Sequence, residues 1–207
     1  LLSLYENFKS YPSVQKQIEK MADQCYQHLK NNAHRVANGI HWRQHESDPL
    51  VGFAHGNAGI IYSCAKLYEL TGQEEILSLI QDALIYERQF YSRSKKGWYF
   101  SSNRDSISMG WCNGTSGILM SRLALLEIGY QDSLLKQEIA IAIDGIKKHG
   151  FGNNTSLCHG DFGNLEVLIY AAQVLDNRQL FEECLSTIQN LCDSYLRENW
   201  QFGLFKG

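Results

Sequence analysis

Proline is nearly absent: 207 residues hold only 2, Pro12 and Pro49, each in a polar stretch just ahead of an expected helix or motif. No linker, low-complexity tract or second domain is visible. Also missing is any apolar run of about eighteen residues or more, the length a transmembrane helix needs. No charged-then-apolar leader opens the chain, so no signal peptide is expected and the cytoplasm is the expected location. Peripheral membrane association is the closest approach to a bilayer that the sequence leaves open. A basic excess is lacking as well. The formal net charge is −3, so no basic face advertises nucleic acid, which is not an expected partner. Cysteine is not scarce, but the 6 residues are scattered; without a leader they read as reduced thiols, some buried and some metal-bound, rather than as disulfide staples. With 44% hydrophobic and 20% charged residues, the composition is that of an ordinary soluble globular protein with one sizeable core.

What is present is helical periodicity. Val14, Ile18, Met21, Cys25 and Leu29 fall on one stripe, as do Ile76, Leu79, Ile80, Ala83 and Leu84. Leu135, Ile139, Ala142 and Ile146 make a third, and Phe181, Cys184, Leu185, Ile188, Leu191, Cys192 and Tyr195 a fourth. Each stripe predicts a helix that faces a core on one side only. Between them lie segments that are apolar nearly all round, 58–70, 117–128 and 162–175, which predicts helices buried on most sides. The order is outer, inner, outer, inner, outer, inner, outer: stacked hairpins that curve so that the inner members line a common interior. Gly56, Gly114, Gly160 and Gly207 mark repeats of 58, 46 and 47 residues. The first repeat is stretched by a polar insertion over 91–110, and that stretch and 39–43 predict short strands or extended loops.

Each inner segment is preceded by a glycine-flanked loop bearing a soft or imidazole side chain: Ala54-His55-Gly56, Trp111-Cys112-Asn113-Gly114 and Leu157-Cys158-His159-Gly160. Asn57, Thr115 and Asp161 then stand where a side-chain oxygen caps a helix. The first glycine of each loop reads as a site of unusual backbone angles, and Gly59, Gly117 and Gly163 as sites of close helix packing. Residues just ahead of the cap sit at the positive end of a helix dipole, which favours a thiolate over a thiol.

Cys25, Cys64, Cys184 and Cys192 lie on apolar stripes and read as core. Cys112 and Cys158 lie in equivalent loops, so they are read as metal ligands with His159; two further buried thiols are the alternative. Two cysteines and one histidine suit zinc, and three protein ligands leave a fourth position for substrate or water, whereas structural zinc sites usually close all four. His55 reads as a fourth ligand, a general acid/base or a hydrogen-bonded histidine at a helix start. The acid/base role is preferred, because an imidazole pKa of about 6.5 suits proton transfer near neutral pH. His28, His34, His41, His45 and His149 read as surface residues.

The segments Gly52-Phe53-Ala54-His55-Gly56-Asn57-Ala58-Gly59, Trp111-Cys112-Asn113-Gly114-Thr115-Ser116-Gly117 and Leu157-Cys158-His159-Gly160-Asp161-Phe162-Gly163-Asn164-Leu165-Glu166 resemble lanthionine synthetase C-like (LanC-like) cyclases. Tyr86-Glu87-Arg88 brings the resemblance nearest to the C-terminal cyclase domain of class II lanthipeptide synthetases, the LanM type. The resemblance implies an all-α fold, an α,α-toroid of about seven helix pairs. Residues 1–207 would form roughly the second half of that domain, truncated at both ends, and the stretch from Gly203 to Gly207 would begin a further repeat. An open ring of this kind is expected to expose apolar inner helices.

The resemblance further implies that Cys112, Cys158 and His159 ligate Zn2+ and that His55 is the active-site histidine. The implied reaction is thioether ring formation on a dehydrated ribosomal precursor peptide: a cysteine thiolate adds to the β-carbon of dehydroalanine or dehydrobutyrine, and an acid, here His55, protonates the α-carbon. A dehydratase domain is expected upstream. The chain departs from the family at Asn113, where histidine or tyrosine is usual, and at Ser108, where some members carry arginine; Arg104 is the nearest substitute. The family's active-site aspartate has no counterpart here. Two other readings stand beside this one: a non-catalytic helical-repeat scaffold or degenerate cyclase, and a LanC-like protein that adds glutathione to dehydroamino acids.

Overall fold

The computed structural model describes residues 1–43, 49–102, 104 and 107–197; His45 and the segment from Gly203 to Gly207 lie outside them. In chain order the elements are α1 (Leu2–Asn7), α2 (Pro12–Asn31), β1 (His34–Val36), β2 (Gly39–His41), α3 (Asn57–Thr71), α4 (Glu75–Arg88), β3 (Tyr91–Ser92), β4 (Gly97–Trp98), α5 (Thr115–Glu127), α6 (Leu135–His149), α7 (Asp161–Val174) and α8 (Arg178–Arg197). All seven expected helices form, and α1 is added ahead of them. The fold is all-α apart from two antiparallel ribbons, β1–β2 and β3–β4; β2 falls within 39–43 and β3–β4 within 91–110, the stretches expected to be extended, while β1 lies ahead of the first.

Why the helices stack as they do follows from their faces. The outer helices α4 and α6 bury the expected stripes, Ile76–Leu84 and Leu135–Ile146, against α3 and α5 respectively. The inner helices α3, α5 and α7 pack side by side, and α7 is backed by α8. This is a partial α,α-toroid: an inner row of three helices inside an outer row. One continuous core runs through it from Ala22 to Cys184.

Two stripes sit differently from expectation. In α2 the buried row is Ile18, Ala22 and Tyr26, rotated by about one residue from the predicted one; Met21 and Cys25 are exposed and line a groove that α1, α2 and α3 enclose. Cys25 is therefore not core, whereas Cys64 and Cys184 are buried and Cys192 is half-buried. In α8 only Leu180 and Cys184 are buried, and Phe181, Leu185 and Ile188 face outward; the helix packs mainly on α7, with an ion pair from Glu183 to Lys147 of α6. Conversely, no large hydrophobic side chain of α3, α5 or α7 is exposed. Half-buried Ile60, Tyr62, Met120 and Ile169 nevertheless line the grooves beside the inner row, so the expected apolar exposure is met only in part.

Buried charge ties the rows together. Arg122 of α5, fully buried, pairs with Glu87 of α4 and with Glu138 of α6 at 2.8 Å. Arg88 grips Glu138 at 2.7 Å and holds Asp132 two-pronged at 2.7 and 2.9 Å. Burial pushes the Glu87 carboxyl up despite Arg122. For Glu138 burial acts upward too, but two guanidiniums outweigh it and hold the carboxyl low. His41 is also inside rather than on the surface: it is 7% exposed, stacked on His34 at 5.5 Å and tilted against the Tyr86 ring at 4.8 Å.

Candidate metal centre and active site

The three loops ahead of the inner helices are built alike, though not in the way the capping pattern suggests. Asn57, Thr115 and Asp161 are the first helical residues; Gly56, Gly114 and Gly160 are the caps, and none makes a side-chain cap bond. Each loop instead curls back so that its own backbone satisfies the helix start. The amides of Asn57, Thr115 and Asp161 donate to the carbonyls of Leu50, Ser108 and Asn154 at 3.1, 2.9 and 2.7 Å, which answers the orphan donors of a helix N-terminus. The freed side chains staple neighbouring segments: the Asn57 amide donates to the Ile40 and Ala83 carbonyls, and Asp161 accepts from the Gly152 amide and the Tyr195 hydroxyl. The cap glycines have extended backbones, with φ between −136° and −127°, which any residue adopts. They are glycine because a Cβ there would strike loop backbone, not because of their angles. Gly59 and Gly163 likewise accommodate the carbonyls of Phe53 and Leu157 in their own loops, rather than a neighbouring helix.

The loops also nest on one another. The Ala54 amide donates to the Cys112 carbonyl at 2.8 Å, and the Cys112 amide to the Cys158 carbonyl at 3.1 Å. Ala54, Cys112 and Cys158 hold equivalent repeat positions, so the same link recurs from loop to loop. Gly52 and Gly110 permit this approach: a Cβ at Gly52 would lie 2.5 Å from the Asn113 Cα, and one at Gly110 would lie 2.7 Å from the His159 Cα.

Nesting brings Cys112, Cys158 and His159 together. Their ligating atoms lie within 4.8 Å of one another, and the set is the single His/Cys/Asp/Glu cluster of this kind among the described residues. His159 Nε2 is buried with no hydrogen-bond partner among the described residues, a costly state for a polar atom unless something else satisfies it. Two thiols and an unpartnered imidazole nitrogen at this spacing fit zinc. Without an ion, burial and then the neighbouring Cys158 push the Cys112 thiol up to about 11.

The other candidates fall around this cluster. His55 is exposed, on the loop hydrogen-bonded to Cys112 but outside the ligand set. Asn113 Oδ1 is buried and unpartnered among the described residues. Ser108 holds the loop, accepting from the Gly110 amide at 3.1 Å. Arg104 donates to the Gln89 carbonyl at 3.0 Å, at the end of α4.

Cys158 opens onto a cavity of about 930 Å3 along the inner row, with Trp111 and Leu157 near the loops and Tyr62, Lys66, Glu127, Glu166 and Tyr170 along its wall. These wall residues escaped the sequence reading, although a signal existed. Tyr62, Lys66 and Glu69 of α3, and Glu166, Tyr170 and Gln173 of α7, are polar or amphipathic residues at helical spacing in segments otherwise apolar all round.

Comparison with known proteins agrees with this architecture. The family model described as "Lanthionine synthetase C-like protein" matches residues 1–207. The lacticin 481/lactococcin biosynthesis protein LcnDR2 of Lactococcus lactis subsp. lactis is 30% identical over 169 residues, covering 76% of this chain and 18% of that protein. Glutathione S-transferase LANCL1 of Danio rerio is 26% identical over 176 residues, covering 80% of this chain and 41% of that protein. The chain thus spans less than half the length of either relative. No helix among the described residues is long and apolar enough to cross a membrane. By its matched length, its inner and outer helix rows and its recurring glycine loops, this chain belongs to the lanthionine synthetase C-like family.

Proposed function

We propose that this chain carries the metal-binding part of a cyclase active site, which closes thioether rings on a dehydrated precursor peptide. The observation that carries the reading is the convergence of Cys112, Cys158 and His159 within 4.8 Å, beside a cavity onto which Cys158 opens. Zinc held there would supply positive charge that lowers the pKa of an incoming thiol from about 8.5.

The chain's own residues do the rest. The nested loops hold both sulfurs and the imidazole in place through backbone hydrogen bonds. The wall of α3, α5 and α7 orients the peptide so that the attacking sulfur and the dehydroamino acid meet, a gain of proximity rather than of new chemistry. His55, on the adjoining loop, delivers the proton to the α-carbon after sulfur addition, directly or through water. In the parent protein a dehydratase domain upstream would supply the substrate.

Zinc analysis of the full-length protein tests this: about one zinc per chain is expected, lost in Cys112→Ala, Cys158→Ala and His159→Ala but kept in Cys64→Ala. Ring closure leaves peptide mass unchanged, so it is read by loss of thiols that iodoacetamide can alkylate. A metal-free protein would favour the scaffold reading. The likeness to LANCL1 motivates a second arm, in which a dehydrated peptide without cysteine is offered with glutathione; a mass gain of one glutathione, with no ring closure on the cysteine peptide, would favour glutathione addition instead.

A further inference from the structure

The wall of the cavity beside Cys158 is unevenly charged. Lys66 donates to Glu69 at 2.9 Å and to Glu127 at 3.1 Å, and the Tyr170 hydroxyl donates to Glu127 at 2.6 Å. The lysine charge is therefore cancelled within the wall, and the Tyr62 ring lies 6.0 Å from its ammonium. Glu166 differs. It lines the same cavity and is exposed, yet among the described residues it has no hydrogen bond or ion pair. One lysine against two glutamates among the lining residues leaves this wall negative, and Glu166 holds the charge that nothing answers.

Its position sets a distance. Glu166, Ile169, Tyr170 and Gln173 line the cavity from one face of α7. At a rise of about 1.5 Å per residue, Glu166 lies about 8 Å along the axis from the loop that carries Cys158, and Tyr170 about 14 Å. An extended peptide advances about 3.3 Å per residue. A peptide whose cysteine is held beside Cys158 thus reaches Glu166 with a side chain about two or three residues away. It meets the self-neutralised Lys66–Glu127–Tyr170 group about four or five residues away.

We infer that Glu166 is a specificity-determining residue, which selects a lysine or arginine about two or three residues from the cysteine undergoing ring closure. The inference rests on the cyclase reading of the site and adds to it the charge of the preferred peptide. A carboxylate in a solvent-filled cavity gains from a cation and repels an anion, and the effect is modest because water screens it.

Binding competition on the zinc-loaded full-length protein tests this. The probes are synthetic peptides with one cysteine in a serine–alanine–glycine background, carrying Lys, Gln or Glu two or three residues to either side. On one side of the cysteine, the lysine peptide is expected to bind about threefold to fivefold tighter than the glutamate peptide, with glutamine between them. Glu166→Gln should bring that ratio near one, and Glu166→Lys should invert it; Glu166 is exposed, so both variants fold. A ratio near one in the unaltered protein, or a preference that survives both substitutions, overturns the inference. A cysteine-to-serine probe separates it from the underlying reading: if that probe binds as tightly as its parent, thiol capture by zinc fails, while the Glu166 ratio stands or falls by itself.

Discussion

Gly110→Ala is a sharp test of how the loops make the metal centre. Gly110 has no left-handed φ, so alanine meets no backbone strain there. The obstacle is spatial: the new Cβ would stand 2.7 Å from the His159 Cα and 2.9 Å from its Cβ, where carbon atoms ordinarily stay about 3.5–4.0 Å apart. One loop must therefore retreat by about 1 Å, whereas ligand distances in a metal site tolerate about 0.2 Å. Zinc affinity should fall roughly 10–100-fold, the scale seen when groups that orient a ligand are disturbed, and the metal-free protein should lose about 1–3 kcal/mol from overpacking. The assay is competition with a chromophoric chelator, alongside a thermal melt of the metal-free protein. Gly145→Ala is the matched comparison: its Cβ would meet the Lys96 carbonyl oxygen at 3.4 Å, an ordinary contact, and mid-helix alanine should stabilise by about 0.5–1 kcal/mol with zinc affinity unchanged. If Gly110→Ala binds zinc as tightly as its parent, the loop nesting does not position His159 as argued.

Three further outcomes are expected. Arg122→Met leaves Glu87 and Glu138 without their buried partner and should cost about 3–5 kcal/mol, with much of the loss recovered when Glu87→Met is added; a denaturant titration that shows no loss would refute the network's role. Asp132 is held low by the two-pronged Arg88, so its stabilising contribution is present above its unfolded pKa of about 3.9 and is lost as pH falls through the lower folded value; Asp132→Asn should flatten the acid limb of the melting profile, and an unchanged limb would count against it. His55→Asn should keep its zinc, because His55 lies outside the ligand set, while ring closure slows by roughly 10²–10⁴-fold; loss of zinc in this variant would make His55 a ligand instead.

Much of this protein was legible along the chain, because periodicity and spacing are local properties. Stripes at helical spacing announced α4 and α6 with their buried faces, and Cys112 and Cys158 could be paired as ligands, with His159 beside them, since they hold equivalent places before two apolar helices. Tertiary structure decided the rest. Which side of α2 is buried depends on where α1 and α3 lie, so Cys25 passed for core although it faces a groove. Asn57, Thr115 and Asp161 looked like caps because their residue types and positions suit capping, but carbonyls seven residues upstream took that role, a contact made by a loop's path and not by its composition. Arg122, unremarkable within an apolar segment, became the centre of a buried ion network only when α4 and α6 arrived on either side. The wall that holds Glu166 beside Cys158 likewise exists only once the inner helices stand together. Local pattern tells which residues turn the same way; only packing tells what they meet.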